Sequence, residues 1–317
     1  MKIEEIKSIR WKDYSDNYLI GHPALSPVLA DPTFAFPGES PDGRWHLFAH
    51  SIWGIHHFVS MDGIQWKDNG VAVASAMRPY LYHENGVYYL LYEKYPPLSL
   101  ALSWMKGRKW YSKIAMRQSD DLKKWTDETV LVRPELEWHM SNGDKSVSNP
   151  CLVKVNNTYR LYYSASLVYI EDCGFNEPDS IGLAESGEIK GPYTLLKEPV
   201  LSVNKSDPWC NLSCGSIKVL QCEDGFVGFE NGIYWDTQNN QSGSAIIILK
   251  SNDGLSWGRL MQEPILKPSE GWRRSHIYAC DARYYEKQSK WYMYYNARND
   301  WPVSRGKECI GLLLGEK

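Results

Sequence analysis

The chain has 317 residues, a net charge of −3, and an aromatic load of 14 Trp, 21 Tyr and 7 Phe. A weak, dispersed charge argues against a nucleic-acid or membrane-surface partner, and no apolar run approaches the ~18 residues of a membrane span. The aromatic excess favours strands, and it also favours sugar-binding surfaces, because a ring face stacks on the apolar C–H face of a sugar.

In chain order, pairs of short segments with aromatic or β-branched alternation recur, which is the strand signal. They are 33–36 with 43–49, 80–83 with 86–92, 151–155 with 157–163, 216–220 with 225–229, and 280–285 with 290–295. Several of the intervening turns are tight: Asn85-Gly86, Asn156-Asn157 and Asp224-Gly225. Three copies of a Ser-x-Asp turn, each ending in Trp, follow such pairs: Ser60 to Trp66, Ser119 to Trp125 and Ser251 to Trp257. Their Trp spacings suit a repeat of roughly 60 residues with one degenerate copy, the pattern of a closed array of similar β units. Five such pairs predict an all-β fold, a five-bladed β-propeller with four-stranded antiparallel blades around a central funnel. It would be one domain over 1–317.

Strand direction alternates within a blade. The tight turns and the Ser-x-Asp turns therefore share one face, and the Asp caps turn N–H groups while the Trp packs between blades. The opposite face receives the connections around 93–113, 164–179, 231–243 and 296–307, with Trp104, Trp110, Trp235, Trp301, Arg298 and Asp300. Long polar and aromatic loops on one face of a rigid scaffold are where ligand sites belong. Aligned on the second strand of each pair, the axial positions are Asp31, Arg78, Asn149, Cys214 to Ser216, and Tyr278. The ends of the second strands add His50, Glu93, Ser164, Glu230 with Asn231, and Asn296, a set suited to a neutral polyol. Trp53, Trp235 and Arg298 complete the expected substrate-binding set.

Ala30-Asp31-Pro32-Thr33, the Ser-x-Asp turns and the repeated Tyr-rich strands together resemble the five-bladed β-propeller glycosidases, namely glycoside hydrolase family 43 and relatives such as families 62, 117 and 130. The resemblance implies a glycosidase, and it makes Asp31 the general base of an inverting hydrolysis. It also implies a second Asp opening blade three and a Glu acting as acid opening blade four. Those places read Ser148-Asn149-Pro150 and Ser213-Cys214-Gly215, without a carboxylate. The acid must come from elsewhere. Candidates are Glu230, set among Phe229, Tyr234 and Trp235, then Glu93 in the matching place of blade two, and His276. Some relatives use a His as acid, and in family 43 an axial His supports a cation.

The expected activity is hydrolysis of a small oligosaccharide or glycoside in the funnel, with catalytic Asp31, Glu230 and His276. The alternatives are a propeller that binds carbohydrate without cleaving it, and a phosphorylase in which Arg78, Arg273, Arg274 and Arg298 hold phosphate. No cofactor is required, although a structural cation on the axis is compatible with the pattern. No protein metal site is expected. Cys210, Cys214 and Cys222 lack a CxxC pair and a nearby His, and seven free Cys fit a reducing compartment. The charged start at Met1 to Lys7 lacks the core of a signal peptide, so the expected location is cytoplasmic.

Overall fold

A computed structural model describes residues 1–102 and 109–317, and for residues 101 and 102 only the backbone is described. Trp104 lies outside the described residues. Antiparallel strands make up nearly all of the regular structure. Three four-stranded sheets follow one another in the chain. The first holds Ala30–Ala35, Trp45–Ser51, Gly54–Ser60 and Lys67–Ala74, and the second holds Ala76–Glu84, Val87–Lys94, Lys113–Ser119 and Thr129–Val132. The third holds Val147–Val155, Thr158–Ala165, Ser180–Ser186 and Thr194–Leu195.

Apart from two small two-stranded hairpins, an eight-stranded sheet contains the rest of the described strands. Its first half is Ser213–Cys222, Gly225–Asp236, Gln241–Ser251 and Gly258–Arg259, and its second is His276–Tyr285, Lys290–Arg298, Glu308–Glu316 and the early strand Arg10–Asp13. A single parallel pair, Ser244 with His276, joins the halves. The first strand of each four-strand set touches that of the next, and Ala30–Ala35 touches His276–Tyr285, so the inner strands close a ring. Arg10–Asp13 runs antiparallel to Glu308–Glu316, with Arg10 opposite Glu316 and Asp13 opposite Leu313, so the two ends of the chain share one sheet.

The Ser-x-Asp turns do what their sequence suggests. Asp62 Oδ1 accepts from the backbone N–H of Ile64 and Gln65, each at 2.8 Å, and Asp121 and Asp253 do the same for the two residues after their turns. Each Trp then packs edge-on against the preceding sheet of the ring. Trp66 meets Tyr294 at 5.7 Å, Trp125 meets Phe48 at 5.7 Å, and Trp257 meets Tyr162 at 6.1 Å. Such aromatic pairs contribute on the order of 1 kcal/mol beyond area burial. The repeat is thus the mortar between sheets. At the tight turns, Asn85 and Gly86 both take positive φ, 52° and 76°, as a two-residue hairpin demands.

One expected connection is not a loop. Residues 231–243 continue the hairpin, because Gly225–Asp236 and Gln241–Ser251 stay paired out to Asp236 and Gln241. Trp235 therefore sits in a strand. Within the expected loop at 164–179, a small hairpin forms from Val168–Ile170 and Phe175–Glu177. No helix among the described residues is long and apolar enough to cross a membrane.

Candidate active site

The inner strands are not regular at the axis. Each breaks register near its start, between Ala30 and Thr33, Met77 and Tyr80, Ser148 and Cys151, Cys214 and Ser216, and Ile277 and Cys280. Three of these breaks share a local cause. Asp31, Arg78 and Asn149 each precede a proline, which supplies no N–H to the ladder and drives the preceding residue out of the right-handed helical region. Their φ values are 52°, 54° and 47°. A non-glycine residue held there costs on the order of 1 kcal/mol, and such strain is typical of functional positions. The fourth strand solves the same problem with Gly215, where an added Cβ would meet Asn231 Oδ1 at 2.4 Å.

These bulges aim side chains into an axial cavity of about 180 Å³. Asp31, Arg78, Asn149, Ser216 and Tyr278 line it, joined by His50, Asn231 and Asn296 from the second strands. Two further carboxyl groups enter from outside this set: Glu177, at the end of the small hairpin, and Glu308, at the start of Glu308–Glu316. A larger cavity of about 440 Å³ adjoins it and shares Ile52, Met77, Arg78, Phe175 and Glu308 with it.

Burial raises all three carboxyl groups of the cavity. Asp31 is buried, and burial raises its carboxyl while the Arg78 and Lys218 charges oppose that rise. Its Oδ2 lies 3.4 Å from His50 Nδ1, and its backbone N–H donates to Asn296 Oδ1. His50 Nδ1 accepts from the Arg78 backbone N–H at 3.3 Å, which leaves the imidazole proton on Nε2. Burial, reinforced by the Arg78 charge, pushes His50 down to about 3, so it is neutral.

Glu177 shifts in the same direction. Burial pushes its carboxyl up to about 8, against the attraction of Arg78 and with help from the negative charges of Glu308 and Asp31. The negative charge of Asp31 is among the influences that raise Glu177, so the two carboxyl groups are coupled across the cavity. Arg78 Nη1 is tied to Glu93 Oε2 at 2.6 Å, and its Nη2 is 3.9 Å from Glu177 Oε2. Glu308 accepts from Arg298 Nη1 at 2.9 Å and from Asn296 Nδ2 at 3.1 Å, and burial raises its carboxyl too. The Tyr278 hydroxyl is buried and has no hydrogen-bond partner among the described residues.

Of the residues expected from sequence, Asp31, His50, Arg78, Asn149 and Tyr278 meet in the axial cavity, and Arg298 lines the adjoining one. Glu93 is fully buried and lines neither cavity; it accepts from Arg78 and from Trp110 Nε1 at 3.1 Å, and so holds Arg78 in place. Trp53 is 52% exposed and outside both cavity walls, although it follows Ile52, which belongs to both.

Three expectations are corrected. Strand alternation gives the axial side to Asn231, so Glu230 faces the other way, against Cys210 and Cys214, and the Cys210 thiol donates to it at 3.6 Å. His276 lies behind Tyr278, its ring stacked on the tyrosine at 5.3 Å, with Nε2 3.2 Å from Ser242 Oγ. Burial, with the Arg298 charge, pushes it down to about 3, so the ring is neutral and lacks the imidazolium proton a general acid would give. Trp235 continues its strand, donates its backbone N–H to Asn211 Oδ1, and reaches neither cavity.

The arginines proposed for phosphate are all engaged by carboxylates. Arg273 pairs with Asp13 at 2.7 Å, Arg274 with Asp300 at 3.4 Å, Arg298 with Glu308, and Arg78 with Glu93. Sequence reasoning missed Glu177 and Glu308. A usable signal for Glu177 existed: the alternating runs on either side of Gly174 mark a hairpin inside a long functional-face loop, and its last residue is a carboxylate.

Comparison with known proteins bears on the fold. The family "Glycosyl hydrolases family 43" matches residues 104–209. The chain resembles the propeller glycosidases. No curated protein matches the sequence. Among solved structures, an N-acetylgalactosamine deacetylase from F. plautii, in complex with blood group B trisaccharide, aligns over 95% of this chain and 92% of its own at 14% identity and a TM-score of 0.66. A thermostable family-43 glycoside hydrolase aligns over 93% and 92% at 16% identity and a TM-score of 0.63. The α-L-arabinofuranosidase of Podospora anserina, in complex with cellotriose, aligns over 95% of each chain at 12% identity and a TM-score of 0.62. At these identities the likeness is one of fold.

Proposed function

We propose that this protein is a glycoside hydrolase that cleaves a small glycoside or oligosaccharide in the axial cavity, with Asp31 as general base and Glu177 as general acid. The observation that carries the reading is a pair of carboxyl groups, Asp31 and Glu177, on one cavity, with Glu177 raised to about 8 and so suited to be the acid of the two. Inverting hydrolysis needs such a pair, one carboxylic acid for the leaving oxygen and one carboxylate for water. We read the scaffold as a five-bladed propeller in one domain, taking the eight-stranded sheet as two blades joined by the Ser244–His276 pair.

In this reading the sugar sits among Asn149, Ser216, Asn231, Asn296 and Tyr278, whose amides and hydroxyls suit neutral sugar hydroxyl groups. Glu177 gives its proton to the glycosidic oxygen as the bond to the anomeric carbon breaks. Asp31 takes a proton from water as that water attacks the opposite face. The free sugar leaves with inverted configuration, Asp31 protonated and Glu177 ionised, and exchange with solvent restores both. Pairing of Arg78, Arg273, Arg274 and Arg298 with carboxylates favours water over phosphate as the attacking species.

The test is turnover of a panel of aryl-glycosides and oligosaccharides by wild type, Asp31→Asn and Glu177→Gln, with product configuration read by NMR. Activity in wild type that both substitutions reduce supports the reading. Sugar binding with no turnover by wild type on the whole panel would replace it with a carbohydrate-binding role.

A further inference from the structure

The two cavities differ in character, and one small hairpin connects them. Phe175 and Glu177 are two residues apart on one strand and therefore share a face. Glu177 lines the axial cavity, and Phe175 lines both. On the opposite strand of the hairpin, Tyr169 lines only the outer cavity, where it is 58% exposed. In the proposed reaction the acid stands beside the glycosidic oxygen, so the leaving group must extend from Glu177 towards Phe175 and into the outer cavity.

Much of that outer wall is apolar: Leu167 and Val303 belong to it alone, and Val28, Ile52 and Met77 are shared with the axial cavity. Three of its polar members are also engaged within the protein. Asp144 Oδ1 accepts from the Trp110 backbone N–H at 2.7 Å, Lys109 Nζ donates to the Asn142 carbonyl, and Arg298 is held by Glu308 and by the carbonyls of Asp300 and Pro302. The inner cavity adds the buried Tyr278 hydroxyl, which has no partner among the described residues. A second sugar ring would set several of its hydroxyls against these apolar side chains, whereas an alkyl or aryl group would bury there without losing a hydrogen bond.

We infer that the substrate is a glycoside of an apolar aglycone, alkyl or aryl, with the sugar in the axial cavity and the aglycone against Phe175, Leu167 and Val303. This rests on the reading of Asp31 and Glu177 as the hydrolytic pair, and it adds the leaving-group class that reading leaves open.

The experiment uses a series of methyl, butyl, hexyl and octyl glycosides of whichever sugar the wild-type chain accepts best. These alcohols have similar acidities, so chain length changes burial and little else. The expected result is a rise in kcat/KM of about two- to four-fold per methylene until the cavity is filled, and a flattened series in Val303→Asp and Leu167→Asp. A flat wild-type series, a preference for oligosaccharides over octyl glycosides, or a slope that persists in both variants would overturn the inference. If wild type turns over no glycoside, the hydrolytic reading has failed by itself. The same series, followed by calorimetric binding, then decides the aglycone question: tighter binding with each methylene supports it, and equal or absent binding refutes it.

Discussion

Glu177 stands 3.9 Å from the Arg78 guanidinium and still holds its proton up to about 8. Burial supplies the rise, and the division of Arg78 explains why a cation so near does not cancel it: the guanidinium makes its short contact, 2.6 Å, with Glu93 instead. Glu93 is thus a positioning residue for the acid. Glu93→Gln removes the competing carboxylate and leaves Arg78 to Glu177. The alkaline limb of the kcat/KM–pH profile should then move down by about one pH unit. An unmoved limb would show that Arg78 does not set the acidity of Glu177.

The same carboxyl makes stability depend on pH. A buried Glu raised from 4.5 to about 8 binds more protons folded than unfolded. Its favourable contribution is complete below about 4.5 and is lost as pH rises to 8. Glu177→Gln should therefore be more stable than wild type at pH 8, on the order of 3 kcal/mol, and nearly equal to it at pH 4.5. Denaturant unfolding of both proteins at the two pH values measures this. Equal differences at both would mean that Glu177 is not held protonated.

Asp31→Asn keeps the size of the side chain and the Asn296 contact to the Asp31 backbone N–H. It removes only the base. The expected loss in kcat is about 10²- to 10⁴-fold with little change in KM. A loss confined to KM would move Asp31 from catalysis to substrate binding.

Tyr278 places an unpartnered buried hydroxyl on the cavity wall, which costs the free protein about 1–3 kcal/mol. Tyr278→Phe should raise the melting temperature by a few degrees and lower kcat/KM by about two- to ten-fold. A variant that is less stable and fully active would show that the hydroxyl serves the fold and not the sugar.

How much of this the sequence shows can be judged residue by residue. The axial positions Asp31, Arg78, Asn149 and Tyr278 are legible because repeated alternation sets a common register, and a common register puts equivalent residues on the axis. The Trp of each Ser-x-Asp turn is legible for the same reason. Glu230 was misplaced by one position in a strand, where a single step reverses the face. Trp235 was misplaced because its hairpin stays paired beyond the point where polar residues suggested a loop. Glu177 was invisible to a register argument, since its hairpin lies outside the repeated strands and reaches the axis by tertiary packing.

The most direct test of the assignment of Glu177 is the dependence of kcat on leaving-group acidity, measured for wild type and Glu177→Gln with aryl-glycosides from phenyl to 2,4-dinitrophenyl. A general acid matters most where the leaving group is basic. The account predicts a loss of about 10²- to 10⁴-fold on phenyl glycosides that shrinks to within about ten-fold on 2,4-dinitrophenyl glycosides. A uniform loss across the series, or none, would contradict it.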